Sequence, residues 1–442
     1  MKKILVLFTV IVACTMMMSC SSEEDVEYSD EAKKVVNMLS EAKPIQLTPA
    51  QRQFANDNNS FTLNFLKTVN ETDRSGKSFI YSPLSITYVL GMVNDAATGQ
   101  TEQELEQTLG FHEGGIQAVN EYCKNLIDNL PKVDEKVTLN IANAIFVSKE
   151  YTLKEQFKKD MKEYYDAQAE TLDFNSPQTL GHINDWCKNK TNGMIPTILD
   201  EVNPNMMSYL LNAIYFKADW TSKFDPKNTK TETFTTEKGS TKLPLMHQTV
   251  LTKYGKNDVC SAIEMPYGNG YWKMTILLPE EGKTTDDIIN SMKEVSWGKE
   301  NLLGTMGAYE VDLKLPRFET SSDTDELKGD GEEDTDDPHN KGLISLMKKM
   351  GLRLAFSPFS EEICNMCQVP VYIDLMRQKA KIMVNEEGSE AAAVTVAGMM
   401  EKSTAGPVEY PMATFHADHP FVYLITEGSS GVILFVGRFT GE

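Results

Sequence analysis

Histidine is scarce in this chain: there are six among 442 residues. They stand at His112, His182, His247, His339, His416 and His419. A serine hydrolase needs a serine on a strained turn, with a histidine and an acid beside it. The chain has no GxSxG, and its Ser82-Pro83-Leu84-Ser85 leads into an apolar helix, where Ser82 and Pro83 suit a cap and first turn. His416 and His419 precede an apolar strand, and a spacing of three does not put two ligands on one side of a strand. They are expected to pack or hydrogen-bond instead. Neither GxxxxGK[ST] nor GxGxxG occurs, so phosphate-cradling and dinucleotide-binding loops are excluded. The expectation is a protein that is not an enzyme and uses no cofactor or metal.

Cysteine and positive charge are also in short supply. Of seven cysteines, Cys14 and Cys20 lie near the N-terminus, leaving an odd set that is no disulfide framework for a chain this long. Cys364 and Cys367 form a lone CxxC with no second pair or nearby histidine to complete a zinc site. The 43 Lys and Arg face 64 Asp and Glu, for a net charge of −21. That excludes the basic face needed to hold nucleic acid. After residue 12 no apolar run is long enough to span a bilayer.

What is present begins with a signal. Lys2 and Lys3 precede the apolar stretch 4–12, and Met17-Met18-Ser19-Cys20 resembles a bacterial lipobox. Residues 1–19 are expected to be removed, Cys20 to carry lipid, and 20–47 to act as a polar tether. This predicts an outer-membrane lipoprotein facing the surface or the periplasm, the alternative being a secreted protein. Helical periodicity dominates early, with Phe54, Phe61, Phe65 and Val69 on one face. Strand-like runs at 139–147, 208–215, 274–278, 311–315, 371–373, 380–385 and 421–439 come mostly later. The fold class is α+β, one domain over 48–442. An acidic stretch at 321–340, SSDTDELKGDGEEDTDDPHN, reads as a solvated, mobile insertion.

The segment 385–397, NEEGSEAAAVTVA, follows a pattern of its own. As a strand it would put Ser389, Ala391, Ala393, Thr395, Ala397 and Met399 on one uncharged face, leaving Glu390 on the other. No proline lies between Ser389 and Met400, and Gly388 sits where the chain must pivot. Such a segment can join a sheet without burying an unpaired charge.

This segment resembles the hinge of a serpin reactive-centre loop. Further stretches agree in order: YSPLSI at 81–86, ATGQT at 97–101, INDW at 183–186, NAIYFKADW at 212–220, MPY at 265–267, ILLP at 276–279, LPRF at 315–318, ADHPF at 417–421 and FVGRF at 435–439. The resemblance implies helices packed on large, mainly antiparallel mixed sheets, with an exposed loop at 386–412. Its hinge would comprise Glu386, Glu387, Gly388, Ser389, Glu390, Ala391, Ala392 and Ala393. Ser82, Ser85 and Asn212 would form a shutter beneath the sheet, and Trp220 would mark the breach where insertion starts. Gln378 stands where many relatives have histidine, which implies a working but less pH-sensitive shutter.

The implied function is suicide inhibition of extracellular serine proteases by a monomer. The protease acylates itself on the loop, and the freed hinge inserts as a strand before deacylation. Family spacing from Gly388 puts the scissile bond at Lys402-Ser403, predicting trypsin-like targets. The distal stretch 403–419 is long, so Met399, Met400, Thr404 and Val408 are alternatives that would suit elastase- or chymotrypsin-like enzymes; cysteine proteases are a further target class. The contrasting reading is a non-inhibitory serpin that acts as a surface binding protein.

Overall fold

The computed structural model describes residues 43–73, 75–111, 114–297, 299–327, 342–389 and 409–442. Helix α1 (Pro49–Thr72) opens with a capping box between Thr48 and Gln51 and buries Phe54, Phe61, Phe65 and Val69, the predicted face. Strand β1 (Phe79–Tyr81) leads to α2 (Pro83–Ala96), where the Ser82 side chain accepts the Ser85 N–H and Pro83 begins the helix. Almost every side chain of α2 is buried, so it is the central helix of the core. Then come α3 (Gly99–Leu109), α4 (Gly115–Asn129), β2 (Thr138–Ser148), α5 (Glu155–Tyr165), β3 (Gln168–Leu172) and α6 (Thr179–Lys190). The strand-rich part runs β4 (Ser208–Asp219), β5 (Lys230–Thr236), β6 (Gly239–Lys256), β7 (Cys260–Tyr267) and β8 (Trp272–Pro279), then α7 (Thr285–Asn290), β9 (Gly307–Pro316) and β10 (Phe318–Asp323). It closes with α8 (Gly342–Lys349), β11 (Leu375–Val384), β12 (Gly388–Ser389), β13 (Met412–His416), β14 (Phe421–Glu427) and β15 (Ile433–Phe439).

Two sheets result among the described residues, in the α+β architecture expected. One orders β1-β15-β14-β8-β7-β6-β9-β13, with β5 beside β6. The other orders β10-β11-β12-β4-β2-β3. The second sheet is sandwiched. The face of β4 bearing Tyr209, Leu211 and Ala213 packs with Ile183, Trp186 and Cys187 of α6, and its opposite face meets α2.

The structure departs from the expectations in three places. The acidic stretch is not solvated from its start. Ser321–Asp323 belong to β10, Thr324 is buried, and Asp323 pairs with Arg377 at 2.5 Å and Lys379 at 3.2 Å. Burial pushes the Asp323 carboxyl up, but the Arg377 guanidinium outweighs it and holds it below the usual range. The remainder of that stretch, 328–340, lies outside the described residues. Second, 371–373 makes only an isolated bridge, Val371 to Ile363. Third, β1, β3, β5, β6, β7, β10 and β13 have no counterpart among the predicted runs, the longest of them being β6. It contains Pro244 and Gly255, and much of it is half-exposed, which leaves no clean apolar alternation.

Candidate loop-insertion site

Strands β4 and β11 are parallel neighbours, from Leu375 opposite Tyr209 to Lys379 opposite Ala213. Beyond Lys379 that ladder stops and the two strands part. At the far end β12 sits between them: Gly388 opposes Asp219, and Ser389 opposes Ala218 on one side and Val384 on the other. The sheet is therefore opened like a wedge, and the chain leading into the loop occupies its mouth, antiparallel to both walls. Parallel pairing is slightly less stable per residue than antiparallel pairing, so this seam is a weak line.

The mouth is a cluster of hinge contacts. Trp220 stacks on Tyr267 with ring centroids 4.3 Å apart, and its Nε1 donates to the Asn385 carbonyl at 2.9 Å. The Trp220 and Phe224 N–H groups donate to the carbonyls of Glu387 and Glu386 at 2.7 and 3.0 Å. Lys223 pairs with Glu387 at 2.5 Å and Asp219 at 2.8 Å, while Glu386 takes hydrogen bonds from Arg317 and from Thr229 Oγ1. Burial pushes the Glu386 carboxyl up, yet Arg317 and Thr229 hold it below the usual carboxylate range. Ser389 is wholly buried, its Oγ 2.8 Å from the Tyr267 hydroxyl. At Gly388 φ is +154°, and an added Cβ would lie 2.0 Å from the Ala218 carbonyl oxygen. Only glycine fits that approach.

Where β4 and β11 still touch, polar side chains cross beneath the seam. Gln378 is fully buried; its Oε1 accepts the Ser82 N–H at 2.9 Å, and its Nε2 donates to the Ser82 carbonyl at 2.9 Å and Asn212 Oδ1 at 3.1 Å. Asn212 Nδ2 donates to Ser85 Oγ at 3.0 Å and Asn143 Oδ1 at 2.8 Å, and Ser82 Oγ donates to the Leu434 carbonyl at 2.7 Å. The network ties both strands to α2 through side chains that do not titrate near neutral pH.

The structure thus brings Ser82, Ser85, Asn212 and Gln378 together at one end of the seam, and Trp220, Glu386, Glu387, Gly388 and Ser389 at the other. Glu390, Ala391, Ala392 and Ala393, the Lys402-Ser403 bond and Cys20 lie outside the described residues. Sequence reasoning did not single out Asn143, Lys223 or Thr229. Asn143 was visible as one of two asparagines, with Asn140, in an apolar run; the other two had no local signal. Tyr267 and Arg317 lay inside quoted motifs without an assigned role. The two histidines beside the apolar strand make hydrogen bonds: His419 reaches the Pro279 carbonyl at 3.2 Å, and His416 reaches Asp312 at 2.9 Å. Cys364 and Cys367 are free thiols, and burial pushes Cys367 up to about 11.

Comparison with known proteins gives one answer throughout. The family model described as Serpin (serine protease inhibitor) matches residues 56–330 and 335–441. An uncharacterised serpin-like protein of Thermococcus kodakarensis is 30% identical over 391 residues, covering 88% of this chain and 85% of that protein. Leukocyte elastase inhibitor A of Rattus norvegicus is 31% identical over 401 residues, covering 87% and 98%. Among solved structures, the thermophilic serpin Tengpin in its native state superposes with a TM-score of 0.75 at 23% identity, covering 92% of this chain and 98% of that one.

Proposed function

This chain belongs to the serpin family, and from that premise we propose that it is a covalent-trapping inhibitor of extracellular serine proteases with Lys402-Ser403 as its bait. The observation that carries the proposal is the wedge between β4 and β11 with Gly388 and Ser389 seated in its mouth. Continuing the β12 register down the seam would set Ala391 between Phe216 and Ile382, Ala393 between Ile214 and Ala380, and Thr395 between Asn212 and Gln378. Small uncharged side chains would face the core, and a hydroxyl would meet the polar network as its Gln378 to Asn212 bond parts. Glu390 would point to the other face beside Lys217, an opposite-charge neighbour. Two antiparallel ladders would replace one short parallel ladder, which gives the motion its direction.

A protease attacking Lys402-Ser403 would acylate itself on the Lys402 carbonyl and release the amine of Ser403. Insertion of the freed strand would then carry it away from the mouth before water completes the cycle, so inhibition is a race between insertion and deacylation. Mixing with trypsin is expected to leave a complex that survives SDS, with a released fragment beginning at Ser403 by mass spectrometry. Active trypsin beside fully cleaved chain would sink the inhibitory reading. A fragment beginning elsewhere in 399–409 would move the bait and leave the spring intact.

We further propose that lipid on Cys20 holds the inhibitor at a bacterial outer membrane, the acidic tether setting it clear of the surface. Radiolabelled palmitate should enter the wild-type chain and not Cys20→Ser; equal labelling, or none in either, would overturn the anchor.

A further inference from the structure

Where β6 and β8 end and β7 begins, the surface dips into a cleft of about 610 Å³, a volume inside the ~300–1,000 Å³ range of small-molecule sites. None of the residues lining it belongs to the seam, the hinge cluster or the polar network beneath them. Strand register lays its floor. Lys256 pairs with Ser261 and Ser261 with Leu278, so the three side chains stand in one row on one face of the sheet. The turn joining β5 to β6, the segment 280–285 and Pro420 line the rest.

The chemistry of that lining is specific. Ser261 is only 7% exposed, yet its Oγ has no hydrogen-bond partner among the described residues and is not sealed off from the cleft. A hydroxyl so nearly buried is normally bonded, so this one is available to a group that enters. The Tyr254 hydroxyl is likewise unpartnered among the described residues, and its ring is held by an edge contact with Tyr309 at 5.2 Å between centroids. Leu278, Pro279 and Pro420 put apolar surface between these hydroxyls. Lys256 and Glu280, paired at 2.6 Å, set a charged donor beside a charged acceptor. Glu237, Glu280 and Glu281 outnumber Lys256 and Lys283, and no arginine lines the cleft, which disfavours a phosphate or a sulfate.

A ligand that suits these walls is uncharged, carries hydroxyls that both donate and accept, and offers a non-polar C–H face to an aromatic ring. A sugar ring has all three properties. We propose that this cleft is a carbohydrate-binding site that takes a neutral saccharide of one or two rings. Ser261 Oγ and the Lys256–Glu280 pair hydrogen-bond its hydroxyls, and its C–H face packs on Tyr254. Nothing in the site depends on cleavage or insertion of the loop, so it goes beyond the inhibitory reading and does not rest on it.

The test is saturation-transfer NMR on the full chain with glucose, galactose, N-acetylglucosamine, maltose and lactose, followed by calorimetric titration of each sugar that receives transfer. At least one is expected to bind with a dissociation constant near or below about 1 mM. Tyr254→Ala, which removes the aromatic wall, should weaken that sugar at least about tenfold. Ser261→Ala should weaken it about fivefold, the worth of one hydrogen bond. This second variant should also melt with the wild type, because the hydroxyl it removes holds no other described residue. It therefore reads the site even where loss of Tyr254 disturbs the fold. Transfer to none of the sugars, or unchanged affinity in Ser261→Ala and Tyr254→Ala, overturns the site. Displacement of the bound sugar by inorganic sulfate would mark an anion site and overturn the neutral assignment; binding that sulfate leaves untouched supports it.

Discussion

Cleavage of the loop anywhere in 399–408 is expected to raise the melting temperature by about 10 °C or more while the nicked chain stays associated. The seam from Ser389 to the β11 start at Leu375 has room for ten residues in the continued register. A strand inserted there acquires ladders on both sides, and the five-pair parallel ladder is given up. A gain on the order of ten net hydrogen bonds, at roughly 0.5–1.5 kcal/mol each, amounts to at least about 5 kcal/mol. At about 2.1 cal/mol/K per residue, 1 kcal/mol moves the midpoint of a chain of this size by about 1 °C, so that gain at its central value of about 1 kcal/mol per bond gives the stated rise. Calorimetry before and after limited proteolysis measures it directly. A cleaved chain that melts with the intact one would show that the loop does not insert, and would favour the surface-binding alternative over inhibition.

The second large effect is at Ser389. Its side chain is fully buried against Tyr267, beneath the Trp220 stack. Ser389→Arg would have to bury a guanidinium there or hold the hinge out of the sheet, and an unpaired buried charge costs several kcal/mol. Each 1.4 kcal/mol added to the insertion barrier slows insertion about tenfold while leaving deacylation untouched. The variant should therefore be cut as a substrate, with the moles needed to inhibit one mole of trypsin rising at least about tenfold. Ser389→Ala, which keeps an uncharged small side chain, should remain an inhibitor and separates the charge effect from general damage at the hinge. Inhibition by Ser389→Arg at wild-type stoichiometry would contradict strand insertion.

Much of this was legible in one dimension. The capping Ser82, the apolar face of α1 and the glycine at the pivot are local properties, governed by neighbours within a few residues, and the fold bears them out; the alternation after the pivot lies, apart from Ser389, outside the described residues. The acidic stretch shows where local reading failed. Asp323 looks like part of a solvated run because its neighbours in sequence are acidic, but its neighbours in space are Arg377 and Lys379, more than fifty positions away. Strand β6 failed for the opposite reason: it is half-exposed over much of its length, so no side-chain period marks it. Lys223 and Thr229, ordinary surface residue types, acquire a role only because β4 turns at Trp220 and brings them against Glu387 and Glu386.

The bait and the spring divide along the same line. Sequence alone carried the expectation that 389–399 can enter a sheet, because alternation, small size and the absence of proline belong to the residues themselves. Whether a place awaited that strand was beyond it. That β4 and β11 pair for five residues and then part, and that Gln378 bridges to Asn212 across them, were decided by the tertiary structure. Each depends on strands far apart in the chain meeting in a particular register, and register is set by the packing of the whole core.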